Sequence, residues 1–300
     1  MLGGDLRQMA AAKALQRAGC GVVTFALDTY SGDRDGVLSA DSIAEAIKDA
    51  DLVLLPVPVT KDGERLFCPL TKKTVLLTEL FDALPHGCRA AGGRMTAEVR
   101  ALARERHIRL YDCTEREEFA VANAVPTAEG ALALAMAEIP YTIRGARCLI
   151  LGYGRIGRVL AHTLSALGAD VTAAARKKET LAWIRADGNT ALPFSALADG
   201  NGEPLSYELV FNTVPQEVVT AAVLRRMPRE VLIIDLASAP GGVDREYAKE
   251  HDRRVVWALT LPGRTAPVTA GEILSDTVLS ILDETETDGS GEFPGEEELP

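Results

Sequence analysis

No run in this sequence approaches the roughly 18 apolar residues that a membrane-spanning helix needs. Its most apolar stretch, Leu52 to Val59, is broken by Pro56 and Pro58 and reads as a buried strand. No apolar segment stands near the first residue, because Asp5 and Arg7 fall where a signal peptide would have one. Paired cysteines are missing too. Cys20, Cys68, Cys88, Cys113 and Cys148 are scattered without a C-x-x-C pair, which fits reduced thiols in a cytoplasm and not a disulfide framework or zinc site. There is no G-x-S-x-G elbow for a hydrolase, and no H-x-x-x-H or clustered carboxylate pair for metal catalysis, so no metal is expected. An excess of basic charge is absent: 43 acidic residues outnumber 32 Lys and Arg for a net charge of −11, a poor match for a phosphate backbone, and nucleic acid is set aside along with membrane as a partner.

The negative charge is unevenly placed. Residues 283–300 hold eight acidic side chains and no Lys or Arg, leaving −3 on the rest of the chain. Such a segment cannot bury enough apolar surface to fold, and is expected to be a disordered, solubilising tail. At 300 residues, two domains are expected. In the first, strands at 21–27, 51–55 and 108–111 alternate with helices at 5–18, 40–49 and 96–107, the last opened by Thr96 with Glu98 in its first turn. A long helix over 115–139 follows, expected to be interrupted near Pro126, where a donor is lost and the preceding turn is crowded. Strands at 147–151, 170–175, 207–213, 231–236 and 254–259 then make a second α/β run, closed by a helix at 270–282. Apolar strands alternating with helices imply parallel sheets covered on both faces.

The fold class is therefore α/β: two Rossmann-like, doubly wound parallel-sheet domains with a cleft between them. The boundaries are 1–118 for the substrate-side domain, 119–144 for an interdomain helix and 145–268 for the dinucleotide-binding domain. Residues 269–282 form a helix returning to the domain junction, and 283–300 the tail. One defect is expected: Met1-Leu2 is too short for an opening strand before Gly3-Gly4, so the start is misassigned or the first sheet lacks its central strand.

The strongest motif is Gly152-Tyr-Gly154-Arg155-Ile156-Gly157, running straight out of the strand Arg147–Leu151 into an amphipathic helix. Alone a G-x-G-x-x-G is weak; with a strand before, a helix after and a second strand at 170–175 it marks a dinucleotide site rather than a bare glycine turn. Gly152 permits the tight turn, Gly154 lets the backbone approach the pyrophosphate, and Gly157 lets helix and strand pack closely. The helix N-terminus then meets the phosphate charge. An NAD site places Asp or Glu at the end of the second strand, on the ribose 2′-hydroxyl. Here the chain reads Ala174-Ala175-Arg176-Lys177-Lys178, with the first acid at Glu179. Arg176 can stack on adenine or fork onto a 2′-phosphate and Lys177 adds charge, which points to NADP against the alternative of a solvated basic turn. Thr213, Val214 and Pro215, with Ala237 and Ser238, follow two later strands at their carboxyl ends and are candidates to line the nicotinamide side.

Four segments, Gly3-Gly-Asp-Leu-Arg-Gln8, Asn123-Ala-Val-Pro-Thr-Ala-Glu-Gly130, Asp235-Leu-Ala-Ser-Ala-Pro-Gly-Gly242 and Leu261-Pro-Gly-Arg-Thr-Ala-Pro-Val-Thr-Ala-Gly271, together resemble the dipicolinate synthase A-subunit family. The resemblance runs from Gly3 to about Leu282. It implies NADP-dependent oxidation of a dihydrodipicolinate-type ring from the lysine pathway, in the cytoplasm of a sporulating mother cell. It also implies a partner, the flavoprotein-like dipicolinate synthase B-subunit; a homodimer stays open. A dicarboxylate wants guanidinium and grouped hydroxyl or amide donors. Arg7, Arg116, Asn123, Thr127 and Arg264 are the candidates, and Glu129 a conceivable proton acceptor. For each, a structural role is an equal alternative. The family's late motif reads Ala-Pro-Lys-Thr-Ala-Gly, and Val268 stands here in place of the lysine. That position also lacks the His that a 2-hydroxy-acid dehydrogenase would need; His86, His107, His162 and His251 lie elsewhere. A non-catalytic, NADP-binding regulatory subunit is the remaining alternative.

Overall fold

A computed structural model describes residues 1–199 and 203–287. The chain divides into two compact units, Met1–Asn123 with the residues from Ala266 on, and Ala124–Thr265. In the first unit, α1 (Leu6–Arg17) is followed by β1 (Val23–Thr24), β2 (Leu38–Ser39), α2 (Ile43–Ile47), β3 (Val53–Leu54), α3 (Leu77–Ala83), β4 (Arg89–Gly92), α4 (Ala97–Glu105) and β5 (Arg109–Asp112). Thr96 caps α4 as expected, accepting from the Val99 amide. The strands β2 and β4 and the helix α3 have no counterpart in the sequence pattern. Arg89-Ala-Ala-Gly92 carries no β-branched residue, and the parallel ladders from β3 and β5, together with burial of Ala90 and Ala91, hold it extended.

This sheet does have a centre. Leu2 is fully buried and bridges Phe25 in parallel, the Gly3 amide donates to the Phe25 carbonyl at 2.9 Å, and the Leu2 amide donates to the Leu54 carbonyl at 2.9 Å. Met1–Gly3 thus lies between β1 and β3, in the place where a gap is expected from the sequence. Backbone bonds to both neighbours suffice to place a segment too short to show a strand pattern.

The helix α5 (Glu117–Glu138) runs unbroken through Pro126, against the expected interruption. Proline removes one donor, but Ala124, Ala128, Ala131, Leu132 and Ala135 bury one face of the helix, and small residues of high helical propensity keep the backbone on course. Among the described residues it is the one helix long and apolar enough to cross a membrane, and half of that window is buried. Its apolar character is accounted for by this packing.

The second unit contains β6 (Arg147–Leu151), α6 (Arg155–Ala166), β7 (Asp170–Ala175), α7 (Lys178–Ala186), β8 (Thr190–Pro193), α8 (Phe194–Asp199), β9 (Leu209–Asn212), α9 (Ala221–Arg226), β10 (Leu232–Asp235), α10 (Arg245–Glu250), β11 (Arg254–Trp257) and α11 (Leu261–Thr265). All six strands are parallel, in the order β11-β10-β9-β6-β7-β8. That is the doubly wound dinucleotide-binding order, with its switch point between β6 and β9. The alternation along β6 shows why it is central. Cys148 and Ile150 enter one core and Leu149 and Leu151 the other, so both faces are covered.

Finally α12 (Pro267–Thr287) returns to the first unit and packs along α1. A Cβ on Gly271 would come within 2.5 Å of the Ala10 Cβ and 2.6 Å of the Arg7 carbonyl, so the two backbones approach as only glycine allows. The expected disorder from residue 283 is corrected, because 283–287 continue this helix. Glu284 pairs with Arg116 at 2.9 Å and the Thr285 hydroxyl accepts from Arg89 at 2.6 Å, two partners that composition cannot reveal. The rest of the acidic tail, 288–300, lies outside the described residues.

Candidate functional site

The dinucleotide motif folds as its residue types demand. Gly152 has φ +95°, and a Cβ there would meet the Thr213 hydroxyl at 2.4 Å. A Cβ on Gly157 would stand 2.1 Å from the Gly152 carbonyl oxygen, so the helix can enter this turn only through glycine. Gly154 is different: a Cβ there would meet open space. It is the N-cap of α6, and no side chain caps that helix, whereas Asp5 and Thr96 cap α1 and α4. The positive end of α6 therefore faces the glycine turn with no side-chain cap of its own, the kind of helix start that takes a phosphate. An open cradle before an uncapped helix N-terminus fits the pyrophosphate of a dinucleotide. Arg155 is exposed in that turn, and Ile156 packs partly against the core.

On the α6 side Tyr153 is buried and donates to the Asp187 carboxylate at 2.7 Å. Burial and then this hydrogen bond push its phenol up to about 12, so it serves as a neutral brace for the loop.

Two fully buried polar residues, absent from the sequence-based candidates, organise the carboxyl ends of β9 and β10. Asn212 donates to Asp235 at 2.8 Å and to the Val214 carbonyl at 3.0 Å, and accepts from the Val214 amide at 3.1 Å. Asp235 also accepts from the amides of Ala237 at 3.1 Å and Gly242 at 2.9 Å. The pair fixes the two loops holding Thr213, Val214 and Pro215, and Ala237 and Ser238. The Thr213 hydroxyl is itself occupied, donating to the Leu151 carbonyl at 2.9 Å beside Gly152. A signal for this network was present: each strand ends on a short polar residue directly before a candidate loop.

β7 ends at Ala175, and Arg176, Lys177 and Lys178 follow before the first acid, Glu179. Arg176 is exposed, bonded to the Gln216 side-chain carbonyl and 5.9 Å from the Phe194 ring, so it bridges the loops after β7 and β9. Lys177 caps α7 by its backbone only, and its exposed ammonium lies 3.7 Å from Glu179.

The residues expected on the substrate side fare less uniformly. Arg7 is committed: its guanidinium bonds Asp5 at 2.8 and 3.1 Å and the Val57 carbonyl, tying the loop after Met1–Gly3 to the loop after β3. Gln8 reinforces the tie, donating to the Leu55 carbonyl at 3.2 Å. Arg116 pairs with Glu118 and Glu284, which makes it a fastener for α12 and not a carboxylate clamp. On α5, Asn123, Thr127 and Gly130 recur at spacings of four and three and share one face. Gly130 there approaches α11, where a Cβ would meet the Thr265 hydroxyl at 2.7 Å. Glu129 is exposed about 200° around the helix from Thr127. The structure therefore does not bring Glu129 together with Asn123 and Thr127. Arg264 is exposed on α11, and no described residue bonds its guanidinium. Val268 is 62% exposed in the first turn of α12. No group of His, Cys, Asp and Glu suited to a metal occurs among the described residues.

Known proteins place these features in a family. Residues 1–114 match the family of the dipicolinate synthase A-subunit N-terminal domain, and residues 122–246 match the NAD binding domain of D-isomer specific 2-hydroxyacid dehydrogenases. The chain is 30% identical over 290 residues to the dipicolinate synthase A-subunit of Bacillus subtilis (strain 168), covering 96% of each. Among solved structures, the dipicolinate synthase A-subunit from Bacillus halodurans superposes with TM-score 0.83 at 31% identity, over 94% of this chain and 96% of that one. A transhydrogenase from Sinorhizobium meliloti, at 15% identity and TM-score 0.69 over 95% and 94% of the two chains, shares the fold. The chain belongs to the dipicolinate synthase A-subunit family.

Proposed function

We propose that this chain is the NADP-dependent, dehydrogenase-like subunit of a dipicolinate synthase. It oxidises a dihydrodipicolinate-type intermediate, drawn from the lysine pathway, to dipicolinate in the cytoplasm of a sporulating cell, and the B-subunit is its partner. A nicotinamide dinucleotide cofactor follows from the domain; the 2′-phosphate preference is the finer step. One observation carries it: β7 ends at Ala175 and is followed directly by Arg176 and Lys177, two cations and no carboxylate, where an NAD site places an acid. An acid there would repel a 2′-phosphate, while a forked guanidinium binds it.

A dinucleotide held at the Gly152–Gly157 turn would supply the hydride acceptor for oxidation of the ring. The protein's work is binding and orientation. Gly152, Gly154 and Gly157 shape the phosphate cradle. The Asn212–Asp235 pair holds the two loops against which the nicotinamide carboxamide would rest. A proton leaves the ring nitrogen or carbon as the hydride departs, and aromatisation supplies driving force, so positioning can carry most of the catalysis. Of the polar residues in the family-like segments, Thr127, Asn123 and Arg264 stay candidates for substrate contact. Arg7 acts by holding the loops after Met1–Gly3 and β3.

The test is a fluorescence titration of the purified chain with NADPH and NADH, followed by an assay for dipicolinate with the B-subunit present. Tight NADPH binding, much weaker NADH binding and dipicolinate formation are expected. Equal binding of both nucleotides would remove the 2′-phosphate argument. NADPH binding without turnover in the presence of the partner would leave a regulatory subunit instead.

A further inference from the structure

The loop after β4 places a cation at the ligand end of the first unit's sheet, in a backbone conformation that costs energy to hold. Arg94 has φ +54°, the left-handed region, without being glycine. The loop is pinned on both sides. The Arg94 amide donates to Asp112 at 3.2 Å and to the Thr114 hydroxyl at 3.0 Å, and the Met95 amide donates to Asp112 at 2.9 Å. Asp112, buried at the end of β5, also accepts from the Thr114 hydroxyl at 2.6 Å. On the other side the Gly93 amide donates to the Pro56 carbonyl at 3.2 Å and its carbonyl accepts from the Val59 amide at 3.0 Å. A Cβ on Gly93 would meet Thr114 at 2.7 Å and Val57 at 3.0 Å, so the turn is closely packed up to the residue before Arg94.

All this backbone order ends in a side chain that does nothing structural. Arg94 is exposed, and no described residue bonds its guanidinium or pairs with it. Glycine takes this conformation without a steric cost, and Arg94 holds it while its own side chain makes no contact among the described residues that would compensate. Its location is where open parallel sheets take ligands: beside the loop after β3, at the carboxyl ends of the strands, and next to the switch point between Met1–Gly3 and β3. Arg7, the candidate clamp in the neighbouring loop, is spent on Asp5 and Val57.

We infer that Arg94 is a substrate-binding residue that forks onto a carboxylate of the pyridine-type dicarboxylate. The inference rests on the proposed function and deepens it. Arg7, Gly93 and Asp112 are positioning residues for it, because they fix the two loops from which the guanidinium projects.

The test uses the full chain together with its B-subunit, comparing wild type, Arg94→Gly and Arg94→Lys. Arg94→Gly relaxes the backbone and removes only the side chain. It should raise KM for the dihydrodipicolinate-type substrate, and weaken dipicolinate as a competitive inhibitor, by about 10-fold or more, the effect of losing one charge-assisted hydrogen bond. NADPH affinity should stay unchanged and the melting temperature should stay or rise. Arg94→Lys should recover part of the affinity. Wild-type KM and inhibition in Arg94→Gly would overturn the inference and leave the proposed function standing. A loss of melting temperature or NADPH binding in Arg94→Gly would make the residue structural and overturn it as well. If the wild-type complex takes up NADPH yet oxidises no such substrate, both readings fall together.

Discussion

Replacing Asp235 with asparagine changes one atom, yet it should destabilise the second unit strongly. The carboxylate is fully buried and every partner it has is a donor: the Asn212 amide at 2.8 Å, the Ala237 amide at 3.1 Å and the Gly242 amide at 2.9 Å. An asparagine side chain accepts through one oxygen only. Whichever way it is turned, its NH2 faces at least one of these donors, and that donor is left buried without an acceptor, at about 1–3 kcal/mol. The surviving bonds pass from a charged to a neutral acceptor and lose roughly half their strength. Together this comes to about 2–4 kcal/mol. At roughly 3 °C per kcal/mol for a unit of this size, the melting transition should fall by about 6–12 °C in calorimetry. NADPH affinity should fall with it, since the loops after β9 and β10 lose their common anchor. A variant melting within about 2 °C of wild type and binding NADPH normally would refute the claim that this network builds the site.

Arg176→Asp should reverse the nucleotide preference, cutting NADPH affinity far more than NADH affinity; equal losses in a fluorescence titration would remove its role at the 2′-phosphate. Gly154→Ala and Gly157→Ala should separate two kinds of glycine. The first adds a methyl in open space, so the protein should fold normally and lose NADPH binding by obstruction. The second collides with the Gly152 carbonyl at 2.1 Å and should lower the melting temperature as well; identical stabilities would contradict the geometry. Burial pushes the thiols of Cys113 and Cys148 from about 9 up to about 12, so neither should react with a thiol reagent at about pH 8, below even the ordinary thiol range, while the protein is folded. Because their folded values are raised, the stability linked to them is complete below pH 9 and is lost as pH rises from 9 towards 12. Native labelling of either cysteine, followed by peptide mapping, would show the burial to be wrong.

Where a residue's role lies in its own backbone neighbourhood, the sequence was legible. Gly152 makes the tight turn and Gly157 the close helix–strand approach that their spacing implies, and β6, β7 and the helices beside them lie where apolar periodicity puts them. The parts that escaped depend on partners far along the chain. Met1–Gly3 is placed by bonds to residues 25 and 54. β4 is placed by its neighbours on both sides, α5 passes Pro126 because its small-residue face is buried, and residues 283–287 stay helical with Arg116 and Arg89 as partners. The candidate site divides the same way. The strand–glycine turn–helix geometry was readable, whereas the commitment of Arg7 to Asp5 and Val57, and of Arg116 to Glu284, lay beyond it. Cations near a family-like motif cannot be sorted into clamps and fasteners until their counter-charges are located.

The two units solve one problem by the same means. In each, a loop at the carboxyl ends of the strands, the edge where open parallel sheets take ligands, is held from beneath by a buried side chain. Asp235 closes β10 and accepts from the Ala237 and Gly242 amides of the loop that follows. Asp112 closes β5 and accepts from the Thr114 amide of its own loop, and from the Arg94 and Met95 amides of the loop after the adjacent strand. A buried carboxylate at a strand end satisfies several loop amides from below, so the upper surface of the loop stays open. The arrangement also explains the residue choice. Asp has the short reach needed to turn back on the amides two residues on, which Glu would overshoot, and Asn offers one acceptor too few. An aspartate at the last position of an apolar strand in a parallel sheet therefore reads as an anchor for the site above it, before any catalytic role is sought for it.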